Sequence, residues 1–239
     1  MKSARELAAS IEHTLLRPEA TPEQVDALCQ EAVRYGFVGV CVNPAYVKRA
    51  VQAVDRWFVA ARPPAAPGFR PKVVSVAGFP LGANRTETKA DEARLAIDDG
   101  ATEIDMVASL GALICGDHRL VRREIETLAH VVHAGTSGRI LKVILECAAL
   151  TDDQVIAGCR CCAEGEADFV KTSTGLHPAG GATVESVRLL HKHAAPMRVK
   201  AAGGIRTAAA AIAMIEAGAV RIGTSAGPAI MGEPPTHGG

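Results

Sequence analysis

Arg198-Val-Lys-Ala-Ala-Gly-Gly-Ile-Arg-Thr207 runs straight into Ala208 to Ala217, then Gly218, then Val220 to Gly223. The first five residues read as a strand and the paired glycines as a turn. Thr207 precedes an alanine-rich helical pattern that Gly218 stops. A second strand follows at once. Strand, helix and strand in that order require a crossover, and crossovers between parallel strands are right-handed.

The same unit recurs on the N-terminal side of this stretch. Candidate strands are Ile11 to Leu15, Val38 to Val42, Val73 to Phe79, Glu103 to Val107, Leu141 to Glu146, Phe169 to Thr174, Arg198 to Ala202 and Val220 to Gly223. Helical patterns between them cover Pro22 to Tyr35, Pro44 to Phe58, Glu87 to Asp98, Arg119 to His133, Asp152 to Glu164, Val184 to His193 and Ala208 to Ala217. Thr21-Pro22 and Asn43-Pro44 place a capping residue before a first-turn proline. Thr151 and Thr183 precede other helices, and Gly36 and Gly100 follow them. Eight such units in 239 residues fit a closed (β/α)8 TIM barrel, with a helix before its first strand, better than an open sheet. The Pro/Ala/Gly stretch from Ala61 to Pro71 leads directly into a strand. It reads as a loop at the N-terminal face, which makes residues 1–239 one barrel domain.

Composition narrows the partners. With 26 basic and 26 acidic residues the formal charge is zero, and only 3% of residues are aromatic. A nucleic-acid partner is not expected from that balance. Met1 to Leu15 carries Lys2, Arg5, Glu6 and Glu12, so it forms no secretory apolar core, and the longest apolar run, Ala208 to Ile215, is too short for a bilayer. A cytoplasmic protein without membrane association is the expectation. Cys159, Cys161 and Cys162 cluster, but no second Cys or His pair at zinc-ligand spacing accompanies them, so reduced helix cysteines and no metal are expected.

Lys171, in Phe169-Val-Lys-Thr-Ser-Thr-Gly175, is a cation in the middle of a strand that reads as buried, and Lys200 holds the matching place in the next strand. Side chains alternate faces, so both lysines can enter one lumen. A free lysine has a pKa of about 10.4 and is less than about 0.1% neutral at pH 7. Two such charges about 5 Å apart at an effective dielectric of about 20 repel by roughly 3 kcal/mol, or about two pKa units. Mutual depression of this kind would prepare an amine to attack a carbonyl. The plainer reading is that each lysine is neutralised by an interior carboxylate. Candidates exist: Asp105 shares a strand face with Glu103 and can pair with Lys142 on the next strand, and Glu12 adds an acid from strand one. Glycines after strands seven and eight (Gly203, Gly204, Gly223), with the hydroxyl of Ser225, form a candidate phosphate site.

Together, Ile11-Glu-His-Thr-Leu-Leu16, Gly78-Phe-Pro-Leu-Gly-Ala83, Glu103-Ile-Asp-Met-Val107, Leu141-Lys-Val-Ile-Leu-Glu146, Phe169-Val-Lys-Thr-Ser-Thr-Gly175, Val199-Lys-Ala-Ala-Gly-Gly-Ile-Arg206 and Arg221-Ile-Gly-Thr-Ser225 resemble the deoxyribose-phosphate aldolase family, class I aldolases of the (β/α)8 type. The resemblance spans nearly the whole chain in the family's order. It implies that Lys171 forms the Schiff base, that Lys200 depresses its pKa, and that Asp105 relays protons. Lys142, Glu12, Thr14 and Thr174 would support them, while Gly203, Gly204, Gly223 and Ser225 would hold the substrate phosphate. The implied reaction is reversible cleavage of 2-deoxy-D-ribose 5-phosphate to D-glyceraldehyde 3-phosphate and acetaldehyde, with no metal or organic cofactor, in a homodimer or homotetramer.

Three positions and the C-terminal tail depart from the family pattern. Glu12 stands where aspartate is usual, Leu176 where an aromatic is frequent, and Ala226 where some members have a second serine. The tail Met231-Gly-Glu-Pro-Pro-Thr-His-Gly-Gly239 lacks the C-terminal tyrosine of some members. Cys41, at the end of strand two, reads as a buried strand cysteine or as a thiol open to free aldehyde. Two other functions fit less of the chain: a Schiff-base aldolase for a different phosphorylated carbonyl compound, and a non-catalytic sugar-phosphate-binding barrel.

Overall fold

In the computed structural model, which describes residues 3–61, 69–135 and 138–232, the first element is the short helix α1 (Ala4–Ala8), capped by Ser3. The chain then alternates: β1 (Ile11–Leu15), α2 (Pro22–Tyr35), β2 (Gly39–Val42), α3 (Val47–Ala61), β3 (Lys72–Ala77), α4 (Thr86–Asp98) and β4 (Glu103–Val107). After β4 come α5 (Leu110–Cys115), α6 (His118–His133), β5 (Ile140–Ile144), α7 (Asp152–Glu164) and β6 (Phe169–Lys171). The last elements are α8 (Val184–His193), β7 (Arg198–Ala202), α9 (Ala208–Glu216), β8 (Arg221–Thr224) and α10 (Gly227–Ile230). The eight strands pair in parallel and in sequence order, and β1 closes on β8. The closed (β/α)8 barrel expected from the alternation is present, and so is the helix before its first strand. No helix among the described residues is long and apolar enough to cross a membrane.

Local chemistry sets the helix boundaries. Thr21, Thr151 and Thr183 each form a reciprocal capping box with the side chain three residues on. Gly36 ends α2 in the left-handed region at φ 71°. Asn43 does not cap as expected: Pro44 opens a single 3-10 turn, α3 begins only at Val47, and the Asn43 amide donates to the Arg17 carbonyl at 3.4 Å. The stretch from Ala61 to Pro71, read as an N-terminal-face loop, lies mostly outside the described residues.

Strand ends moved where the backbone turns toward the mouth. The strand expected through Glu146 stops at Ile144, because Glu146 adopts φ 53°. The strand expected through Thr174 stops at Lys171. Beyond it Thr172 Oγ1 bridges to Ala202, donating to its carbonyl and accepting from its N–H, so a side chain takes over from the ladder.

Two kinds of interior result from the alternation of faces. Outward-facing Val40, Val73, Ile104, Val143, Val170, Val199 and Ile222 are buried under the helices. Inside the barrel, Leu16, Cys41, Val74 and Val76 form a separate small apolar cluster toward β2 and β3. The rest of the lumen, from β4 round to β1, carries charges. Barrel interiors are ordinarily filled by branched apolar side chains, so this half of the lumen is built for something other than packing.

Candidate active site

Register brings the charged groups together. Lys171 pairs across the ladder with Lys200, and Asp105 with Lys142, so each pair projects side by side into the lumen. Asp105 lies at the centre. Its Oδ2 accepts from Lys171 Nζ at 2.9 Å and from Lys200 Nζ at 2.6 Å, while its Oδ1 accepts from Lys142 Nζ at 2.9 Å. Lys142 also meets Glu103 at 2.6 Å and Glu12 at 3.5 Å, and Lys200 meets Glu12 in a very short contact. All six side chains are buried. Three cations and three anions therefore balance inside the barrel, and a buried charge is tolerated only with such partners.

Electrostatics correct one expectation. Burial works against the charge on Lys200, yet the carboxylates of Asp105 and Glu12 outweigh it and raise its pKa above the usual lysine value. Lys142 is likewise pushed up: burial opposes its charge, but Asp105, Glu103 and Glu12 prevail. For Lys200, neutralisation by interior carboxylates, the plainer of the two readings, therefore outweighs depression by neighbouring lysines. For Asp105, burial favours the neutral acid, but Lys142, Lys171 and Lys200 hold the carboxyl well below its ordinary range. Glu103 shifts down as well, against burial, through Lys142 and Arg221. Cys41 is buried at the lumen wall, and burial pushes its thiol up to about 11, so it stays protonated and a poor nucleophile.

A cavity of about 300 Å³ opens at the C-terminal mouth. Of the six interior charges, Lys171 is the one that lines it, and among the described residues it is ion-paired to Asp105 alone. Thr14 and Thr174 flank the same space, and Gly203, Gly204, Gly223 and Ser225 line it as well. Every site residue expected from the sequence is therefore in the cavity wall or in the charge cluster behind Lys171. Thr224 cannot substitute for Ser225, since its hydroxyl donates to the Ile205 carbonyl at 2.6 Å and accepts from Ala226 N–H at 2.9 Å. Arg17, Arg206 and Gly175 also line the cavity and were not singled out from the sequence. The two arginines add cations to a wall that also carries Lys171 and the carboxylate of Glu31, and their positions just after β1 and β7 were the available signal.

Gly203 shows how tightly the glycine wall is built. Its φ is 94°, and a Cβ there would lie 2.9 Å from Gly181 Cα and 3.1 Å from Gly175 Cα, both backbone atoms. Left-handed backbone costs a side-chain-bearing residue roughly 1–2 kcal/mol before any overlap is counted. Gly203→Ala is therefore expected to raise KM for a phosphorylated substrate more than it lowers kcat, and to lower the urea midpoint. Unchanged steady-state kinetics would show that the wall tolerates displacement.

A closed parallel barrel that sets one lysine amine in the wall of its mouth cavity, against a buried carboxylate, can support carbonyl chemistry through an imine. The chain belongs to the DeoC/LacD family of aldolases, whose family model matches residues 7–232. It is 51% identical over 223 residues, 93% of each chain, to the deoxyribose-phosphate aldolase of Thermococcus gammatolerans. With that of Brevibacillus brevis it shares 47% over 222 residues, covering 92% of this chain and 93% of the relative. Among solved structures, the deoxyribose phosphate aldolase of Aeropyrum pernix, described as a unique tetramer, superposes with a TM-score of 0.85 at 34% identity, covering 96% of this chain and 91% of that one.

Proposed function

We propose that this protein is a deoxyribose-phosphate aldolase, cleaving 2-deoxy-D-ribose 5-phosphate reversibly to D-glyceraldehyde 3-phosphate and acetaldehyde through a Schiff base on Lys171. The observation that carries the reading is that the Lys171 amine enters the cavity while Asp105, its one ionic partner among the described residues, keeps two other lysines. Attack on a carbonyl needs a neutral amine. Loss of the Lys171 proton leaves Asp105 still paired with Lys142 and Lys200, so no buried carboxylate is stranded.

The neutral amine adds to the C1 aldehyde of the open sugar, and loss of water gives a protonated imine. Asp105, 2.9 Å from Nζ in the resting state, is placed to stabilise that cation as it did the ammonium. The iminium draws the electrons of the C2–C3 bond as the C3 hydroxyl gives up its proton, releasing D-glyceraldehyde 3-phosphate and leaving an enamine. Reprotonation of the enamine carbon, with Lys200 and Asp105 relaying through a water, restores the iminium, and hydrolysis frees acetaldehyde. The electron sink is the iminium itself, so the reaction needs no metal or organic cofactor. Glu12 and Lys142 hold the relay in place, Thr14 and Thr174 border the sugar, and Gly203, Gly204, Gly223 and Ser225 hold the phosphate. This assigns the chain to deoxyribonucleotide breakdown in the cytoplasm, working as a homodimer or homotetramer of one-domain barrels.

Borohydride reduction in the presence of acetaldehyde, followed by peptide mapping, tests this reading. An ethyl adduct is expected on Lys171, weaker in Lys200→Leu and lost in Lys171→Leu. Folded, active protein with an unmodified Lys171 would overturn the mechanism. Turnover of a different phosphorylated aldehyde or ketone in preference to the deoxysugar would keep the mechanism and change the substrate.

A further inference from the structure

Glu146 is a buried carboxylate that the reaction above does not use. It follows β5, adopts a left-handed backbone at φ 53° and ψ 57°, and is only 1% exposed. A residue with a Cβ enters that region at a cost and stays there only when its surroundings demand it. No cation lies within ion-pair distance of it among the described residues. What it holds is Thr174: the Thr174 N–H approaches both carboxylate oxygens at 3.2 Å, and the Thr174 hydroxyl donates to Oε2 at 2.5 Å.

The consequence follows from the donor inventory of a hydroxyl. Threonine Oγ1 has one proton and two lone pairs. Here the proton is committed to Glu146, and one lone pair accepts from Leu176 N–H at 3.1 Å. Thr174 lines the cavity, three residues beyond Lys171. Its one remaining capacity there is to accept. We infer that Glu146 is a positioning residue that fixes Thr174 as a hydrogen-bond acceptor in the cavity wall, so that this wall selects a substrate hydroxyl that donates to it. Without the carboxylate the threonine proton turns freely, and Thr174 presents donor and acceptor alike. The left-handed backbone of Glu146 is then the cost of aiming a carboxylate at the loop that follows the next strand.

This inference rests on the aldolase reading, and the test separates the two. Glycine adopts the left-handed backbone without strain, so Glu146→Gly removes the carboxylate while keeping the turn. In Glu146→Gly the KM for 2-deoxy-D-ribose 5-phosphate is expected to rise roughly 10- to 100-fold, with kcat changing far less, as when binding common to ground and transition states is lost. Glu146→Gln, whose amide oxygen still accepts, should recover part of that loss. Acetaldehyde trapping on Lys171, which involves no sugar hydroxyl, should stay near the wild-type level in both. Thr174→Val should match Glu146→Gly, and the double variant should be no worse than the worse single, because both changes remove the same contact.

An unchanged KM in folded Glu146→Gly overturns the inference. So does a double variant whose losses multiply, or a trapping yield that falls in step with turnover. If Glu146→Gly does not fold, the cycle of Glu146→Gln with Thr174→Val decides by the same criteria. Absence of trapping in the wild type would instead defeat the aldolase reading itself.

Discussion

Lys171→Leu is expected to reduce turnover of 2-deoxy-D-ribose 5-phosphate by at least about 10⁴-fold, roughly 5.5 kcal/mol of barrier, while the protein stays folded. The activity loss follows because no other amine can take the nucleophile's place. Lys142 and Lys200 are behind Lys171, outside the cavity wall, and their pKa values are raised by the carboxylates around them. Retention of the fold follows from the ion-pair pattern. Leucine replaces a buried ammonium with an apolar group, and Asp105 keeps Lys142 and Lys200. Removing one partner of a buried ion pair is costly chiefly when it strands the other charge, and here Asp105 is not stranded. The urea midpoint is therefore expected to stay close to that of the wild type. Lys142→Leu, by contrast, takes a cation from Glu103, Asp105 and Glu12 together and should unfold at clearly lower urea. Residual activity above about a hundredth in purified Lys171→Leu would mean that another group forms the covalent intermediate.

Most of the architecture was legible because its signals are local. Capping threonines and terminal glycines placed α2, α7 and α8 to the residue, and the apolar runs placed β4 and β7 to the residue. The misplaced elements fail for local reasons too. α5 and α10 are too short to show a period, and nothing in a one-dimensional pattern marks Glu146 as left-handed. The residues that meet at the mouth and in the charge cluster were legible, and their charge state was not. Alternation put Lys171 and Lys200 on one face, and the ladder pairs them directly. Whether they depress each other depends on Asp105 and Glu12, which come from β4 and β1. Sequence spacing gives no measure of how closely those strands approach. The departure at Glu12 now has a physical meaning: its longer side chain reaches both Lys200 and Lys142. The tail without a tyrosine lies almost entirely beyond the described residues.

Asp105→Asn should be the most damaging single change to the folded state, and its effect should depend on pH in a defined sense. One carboxylate serves three ammonium groups, so the amide leaves Lys171 with no ion-pair partner among the described residues and removes a partner from Lys142 and Lys200. Breaking a buried ion pair from one side costs about 3–5 kcal/mol, because the remaining charges stay desolvated. A carboxyl whose pKa is depressed by folding contributes stability that is complete above its unfolded value of about 3.9 and is lost as pH falls through the lower folded value. The stability gap between wild type and Asp105→Asn should thus be largest near neutral pH and shrink in acid. Lys142 and Lys200 have raised values, so their contribution is complete below an unfolded value of about 10.4 and is lost as pH rises through the folded ones. Without Asp105 that alkaline loss should begin at lower pH. Urea unfolding of both proteins across the pH range measures these limbs. Turnover should fall roughly 10²–10⁴-fold, the usual worth of a positioned proton-transfer group. Equal urea midpoints at pH 7, or a gap that persists unchanged into strong acid, would mean that Asp105 does not hold the three lysines as a charged group.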